Sequence, residues 1–211
     1  MRAYYAARAA EYDAVYARPE RQDDLRAIAA WLPPHFAGAR VLDVACGTGW
    51  WTRRIAPVAA GLVGIDAAPE TLAIARARVA AAQARFEVGD AYALAPSLGR
   101  FDAAFAGFWF SHLPRARRLP FLRGLGERLA PGATVVLLDN RDVPGSSLPL
   151  AGTDPAGDTW QWRRLADGST HRVLKNHPGE DELQGLLPGL GTDGRFVTWP
   201  HYWAFTYRRA A

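Results

Sequence analysis

The chain has 211 residues, 49% of them hydrophobic and 22% charged, which suits one folded domain and excludes a disordered chain. A single cysteine, Cys46, excludes an internal disulfide framework and points to a reducing compartment. No apolar run approaches the roughly 20 residues of a membrane span, so no membrane partner is expected. The N-terminal MRAYYAARAAEYDAVYARPE has acids and tyrosines where a signal peptide has an apolar stretch, so the expected location is cytoplasmic. A formal charge of +4 admits nucleic acid as a partner, but the bases run no longer than pairs such as Arg53-Arg54, Arg117-Arg118 and Arg163-Arg164. All but Lys175 are arginine in an alanine-rich chain, which reads as coding bias and a solvated surface.

The N-terminal segment to about Trp31 reads as helix, with Leu25, Ile28, Ala29 and Leu32 on one face. LPPHFAG breaks it. RVLDVAC is then a buried strand, WWTRRIAPVA a helix, LVGID a second strand, and PETLAIARARVAAAQ a helix with Pro69 in its first turn. RFEVGD and FDAAFAGF are the third and fourth strands. RARRLPFLRGLGERLAPG is a helix interrupted at Pro120 and ending near Gly132, and TVVLLDN is a fifth strand. Strands alternating with helices predict a parallel sheet covered on both faces. After Asn140 the pattern changes. TWQWRRLADGSTHRVLKN reads as a hairpin turning at Asp167-Gly168, PGEDELQGLLPGL as a short helix, and GRFVTWP with HYWAFTYRR as two antiparallel strands. Residues 141–178 are expected to be an insertion within one domain. The expected parts are a helical cap (1–36), a ligand-binding core (37–140), the inserted hairpin, and the last helix and strands (179–211).

CGTG, Cys46 to Gly49, joins the first strand to the next helix. Glycines there permit positive φ and a close approach of backbone to ligand. A dinucleotide fingerprint needs a third small residue where Thr52 stands, and Asp43 beside the turn repels pyrophosphate but suits an ammonium or sulfonium. Asp66 ends the second strand, where a carboxylate can accept from both ribose hydroxyls or cap the next helix. Asp90 ends the third, where it can accept from an adenine amino group or serve a turn. Three acids at three successive strand ends favour a shared ligand over three coincidental turns.

VLDVACGTGWWT, VGIDAAPETLAIAR, FEVGDAYAL and FDAAFAGFWFSHLP…RLAPGATVVLLD together resemble the ordered motifs of the class I S-adenosylmethionine-dependent methyltransferases, small-molecule type, over roughly residues 40 to 140. YYAARAAEYDAVY resembles the tyrosine-rich start of that family's small-molecule members. The resemblance implies an α/β fold: a seven-stranded, mostly parallel sheet, helices on both faces and an antiparallel last strand. It implies S-adenosylmethionine as cofactor. Asp43 and the backbone from Ala45 through Gly47 to Gly49 would face the methionine part, with Tyr12 and Phe108; Asp66 and Ala67 would face the ribose, and Asp90 and Ala91 the adenine.

Methyl transfer from a sulfonium is an in-line displacement needing mainly proximity and orientation, and the sequence holds no metal-ligand constellation. His112, after the fourth strand, is the candidate base or orienting group; the alternative is a local hydrogen bond. Tyr5 and Tyr16 of the N-terminal segment, and Trp109, are candidates for the acceptor pocket, Trp109 equally for the core. Trp160 and Trp162, at i and i+2 of the hairpin, would roof that pocket or make a dimer contact. The expected activity is methylation of a small aromatic or apolar metabolite by a monomer or homodimer. The alternatives are an RNA methyltransferase and a non-catalytic cofactor-binding module.

Overall fold

In the computed structural model, which describes residues 8–211, the alternating pattern closes into one large sheet. 3-10 turns over Ala9–Ala17 and Pro19–Arg21 lead into helix α1 (Gln22–Trp31). Then follow β1 (Arg40–Val44), α2 (Thr52–Ile55), β2 (Gly61–Asp66), α3 (Pro69–Arg78), β3 (Arg85–Val88), β4 (Phe101–Gly107), α4 (Arg115–Gly126) and β5 (Leu129–Asn140). These five strands pair in parallel, β1 with β2 and β4, β2 with β3, and β4 with β5. Such strands are buried on both faces, which is why they read as unbroken apolar runs. Side chains alternate between two cores. Leu42 and Val44 pack with Phe121, Leu122 and Leu125 of α4. Val41 packs on the other face with Leu25 and Ile28 of α1 and Leu72 and Ala75 of α3.

Three helices differ from the sequence reading. The helix expected over WWTRRIAPVA is a single turn, because Pro57 has no N–H to carry the ladder on to the Arg53 carbonyl. α3 ends at Arg78, where Val79 turns to an extended φ of −115° and buries its side chain. α4 runs through Pro120 and ends at Gly126. The carbonyl that loses its partner there belongs to Ala116, which is exposed to water.

Beyond β5, the strands β6 (Gly152–Thr153), β7 (Thr159–Arg164) and β8 (Thr170–Leu174) form a second, antiparallel sheet. The expected hairpin is β7–β8; β6 was not foreseen. Its turn is a three-residue loop. The Leu165 amide donates to the Ser169 carbonyl (2.9 Å), the Gly168 amide to Leu165 (3.0 Å), and Gly168 takes a φ of 86°. α5 (Glu180–Gly185) leads to β9 (Gly191–Thr198) and β10 (Tyr202–Arg209), with β10 antiparallel to both β5 and β9. The large sheet has the order β3-β2-β1-β4-β5-β10-β9. Its order reverses between β1 and β4, and ligands of open α/β sheets bind outside the carboxyl ends of the strands at such a point. No helix among the described residues is long and apolar enough to cross a membrane.

Gly49 constrains the turn after β1. Its φ is 71°, and an added Cβ would lie 3.1 Å from the Ala75 Cβ on α3. Gly49→Ala is expected to lower the urea-unfolding free energy by about 1–3 kcal/mol, whereas Gly61→Ala, with open space around it, changes it little. Equal effects at the two positions would contradict this account of the turn.

Candidate functional site

The carboxyl ends of β1 and β4 carry unusual backbone. Ala45 (φ 55°) and Phe108 (φ 58°) occupy the left-handed region without being glycine, a conformation that costs energy and concentrates at ligand sites. The Cys46 amide donates to the Ile65 carbonyl (2.9 Å), fastening the turn to β2. Asp43 is buried and accepts a 2.6 Å hydrogen bond from the Thr52 hydroxyl. Burial pushes its carboxyl up to about 7, the Thr52 bond opposes that rise, and the nearby Asp66 charge adds to it. Thr52, which breaks the dinucleotide fingerprint, is thus the residue that holds Asp43.

Asp66 spans the crevice. One oxygen accepts from the Gly47 amide (3.0 Å) and the other from the Ala68 amide at the start of α3 (2.9 Å). The Ala68 bond closes a turn ahead of α3 and does not cap it, since the N-cap is Ala68 itself and has no side-chain cap bond; the Gly47 bond fastens the glycine turn. A carboxylate has about four acceptor sites, so these two bonds leave capacity for a ligand. Burial raises the Asp66 pKa against both bonds. Ala67 is exposed beside it. Asp90, exposed past the end of β3, accepts from the Tyr92 amide (2.8 Å) across half-buried Ala91. The sheet order sets the three acids side by side at the ends of β1, β2 and β3.

The N-terminal segment closes over this crevice. The Tyr16 ring stacks on Trp50 at 4.5 Å and meets Trp51 and Phe108 edge-on. Burial pushes the Tyr12 hydroxyl up to about 12 and Tyr16 well above its usual value. Asp13 accepts from the Thr48 hydroxyl (2.6 Å) and pairs with Arg78 of α3. Arg21 donates to the Asn140 side-chain oxygen and the Ser146 hydroxyl, both at 2.9 Å. Between Tyr12, Tyr16 and the glycine turn the remaining cavity is about 20 Å³. Tyr5 lies outside the described residues.

A second cavity, about 630 Å³, opens on the other side of Tyr12 and Tyr16, bounded by Phe108, His112, Tyr202 and the β7 residues Gln161 to Arg164. His112 is buried and its Nδ1 donates to the Leu174 carbonyl oxygen at 2.6 Å. Burial and the Lys175 cation hold the ring neutral, well below its usual pKa. Behind it, Asp139 at the end of β5 accepts from the Ser111 amide (2.9 Å) and from Lys175 Nζ (2.8 Å), which also reaches the Ser111 hydroxyl (2.6 Å). Burial alone would raise Asp139, but the Lys175 charge outweighs it and holds the carboxyl well below the usual range. Burial lowers Lys175 against the pull of Asp139.

Two predicted pocket residues lie elsewhere. Trp109 is half-buried against the core with its ring edge-on to Tyr92 at 5.5 Å. Trp160 donates to Asp154 (3.0 Å) and carries the Arg172 guanidinium 4.6 Å over its ring, so its face is occupied within the insertion. Trp162 lines the cavity while remaining 57% exposed. The sequence reading missed Asp139, Lys175, Arg21 and Tyr202. The one available signal was that Lys175 is the sole lysine.

A family profile described as a methyltransferase domain matches residues 41–132. The chain is 30% identical over 179 residues to a demethylmenaquinone methyltransferase of Thermus thermophilus, covering 76% of this chain and 77% of that one. It is 30% identical over 171 residues to a ubiquinone biosynthesis O-methyltransferase of Cereibacter sphaeroides, covering 80% of this chain and 65% of that one. It spans about half to two thirds of the length of the ubiquinone O-methyltransferases it matches (47% and 65%). Among solved structures it is similar to DhpI in complex with SAH, at a TM-score of 0.81 and 28% identity, covering 99% of this chain and 94% of that one.

The Asp43 environment has a pH signature. Its folded value of about 7 lies above the ordinary carboxylate value of 3.8. The unfolded chain therefore releases this proton first, and the contribution to stability is full below about pH 4 and falls as pH rises to about 7. Asp43→Asn keeps an acceptor for Thr52 and should flatten that decline in unfolding free energy. Parallel pH profiles for the two proteins would refute the assignment.

Proposed function

The chain belongs to the class I S-adenosylmethionine-dependent methyltransferases, and from that membership we propose that it transfers a methyl group to a small organic acceptor held in the 630 Å³ cavity. The observation that carries this reading is a shared wall. Tyr12 and Tyr16 line both the crevice over the glycine turn and the larger cavity, so the two spaces adjoin at these rings, which must move aside to bring a donor methyl and an acceptor into direct contact.

The residues present fit the cofactor in kind, and the N-terminal segment, which leaves about 20 Å³ over the glycine turn, must withdraw for it to enter. The Ala45–Gly49 backbone and Asp43 would hold the methionine part together with Tyr12 and Phe108. Asp66, with acceptor capacity to spare, would take the ribose beside Ala67, and Asp90 with Ala91 the adenine. When bound, S-adenosylmethionine supplies a methyl group already activated on a sulfonium. What remains for the protein is to bind, orient and exclude water. The aromatic wall of Tyr12, Tyr16, Phe108 and Tyr202 suits an acceptor with an apolar or aromatic body. His112 acts as a neutral, weakly basic ring fixed by Leu174, which favours positioning over proton abstraction. Trp162 at the cavity mouth supports the reading of the hairpin as its roof. Enclosure by the N-terminal segment and the hairpin favours a small acceptor over RNA.

Asp66→Ala is expected to weaken S-adenosylhomocysteine binding about 10- to 100-fold by calorimetry; unchanged affinity would remove Asp66 from the ribose. His112→Ala should lower turnover of a true acceptor, found by mass spectrometry of a metabolite extract, about 10- to 100-fold with cofactor affinity unchanged. Equal turnover would place His112 outside the site.

A further inference from the structure

Resting on that reading, we propose that the acceptor is a small organic oxyanion, a carboxylate or a phosphorus oxyanion, and that its charged oxygen takes the methyl group. The cavity carries the charge for it. Among the described residues, Arg8, Arg18, Arg21, Arg163, Arg164 and Lys175 line it, against the one carboxylate of Glu11.

Two of these cations are built into the wall, Arg21 at 7% exposure and Lys175 at 3%. Burying a cation is costly unless it is paired. Lys175 is answered by Asp139. Arg21 is not answered in that way. It is in no ion pair among the described residues. Its partners are the neutral Asn140 and Ser146 and the face of Tyr202 at 5.5 Å. Its Nε, buried, has no hydrogen-bond partner among the described residues. A guanidinium presents a planar fork matched to a carboxylate or phosphoryl group, and an entering oxyanion would supply the charge the wall lacks. Arg18, half-buried, donates to the Ser146 carbonyl at 2.9 Å and extends the same arm toward the cavity mouth.

An oxyanion also suits the groups beside it. A neutral alcohol or ammonium must shed a proton, yet burial and the neighbouring Lys175 cation make the His112 ring a weak base, and Asp139 is committed to Lys175. A charged oxygen needs no base. Its electron pair forms the new O–C bond as the C–S bond breaks, the electrons of that bond remain on sulfur, and no proton changes hands. The positive sulfonium and the negative oxygen become a neutral thioether and an ester. A carboxylate thereby loses the charge that holds it to Arg21, which favours product release.

The test is calorimetry on the full chain saturated with S-adenosylhomocysteine, titrated with benzoate, phenylphosphonate and the uncharged benzamide. At least one acid should bind tenfold or more tighter than benzamide, and the stronger acid identifies the oxyanion class. Arg21→Gln should weaken that acid about 10- to 100-fold and Arg18→Gln, half-exposed and tolerant of change, a few-fold, both with S-adenosylhomocysteine affinity retained. Should Arg21→Gln not fold, Arg18→Gln and the loss of acid affinity at raised salt decide the matter. Benzamide binding as tightly as the acids, or acid affinity indifferent to substitution and salt, overturns the proposal. Failure of both acids while S-adenosylhomocysteine binds overturns it alone; failure of S-adenosylhomocysteine to bind wild type overturns the reading beneath it. With a bound acid and methyl-labelled donor, an ester methyl in the product spectrum supports the proposal and an ether or N-methyl product contradicts it.

Discussion

The buried pair of Asp139 and Lys175 is the interaction on which the larger cavity, the proposed acceptor site, depends. Asp139 closes β5, the strand next to the sheet's switch point, and Lys175 closes β8 of the small sheet. Their 2.8 Å contact ties the insertion to the core, and the Ser111 amide and hydroxyl complete the set. Leu174, the residue before Lys175, then presents its carbonyl to His112. One ion pair thus fixes the hairpin, the loop after β4 and the orientation of the histidine. Losing one partner of such a pair costs about 3–5 kcal/mol, because a charge is left buried alone.

The crevice proposed for the cofactor is organised differently, by backbone. Left-handed φ values at Ala45 and Phe108 turn the chain sharply at two adjacent strand ends, and Asp66 fastens the glycine turn to the start of α3. The N-terminal segment joins the two sides. Asp13 holds it to Thr48 and Arg78 over the glycine turn, while Arg21 holds it to Asn140 and Ser146 over the insertion. Between these fastenings Tyr12 and Tyr16 form the common wall. Movement of this segment would therefore alter both cavities together.

The sheet was legible because parallel strands are buried on both faces and announce themselves as apolar runs. Asp43, Asp66 and Asp90 were legible because strand ends meet at one edge once the order is known. The helix ends were not. Pro57 and Val79 stop helices that alanine-rich sequence would extend, and Pro120 sits inside one because the orphaned carbonyl is exposed. Trp160 and Trp162 share a spacing, but Asp154 and Arg172 occupy the first, 6 and 12 residues away in sequence, and no periodicity reveals that. The basic residues hid the most. Arg18, Arg21, Arg163, Arg164 and Lys175 look scattered along the chain, yet the fold gathers them on one cavity; pairwise spacing records no convergence of segments more than a hundred residues apart.

Hydrogen exchange read by mass spectrometry tests the placement of the cofactor most directly. Saturation with S-adenosylhomocysteine should slow exchange at the turn after β1 (45–49), the end of β2 with the start of α3 (66–68) and the residues after β3 (90–92), with β9 unaffected and NAD giving no such pattern. Protection absent from these three strand ends, or matched by NAD, would contradict the account.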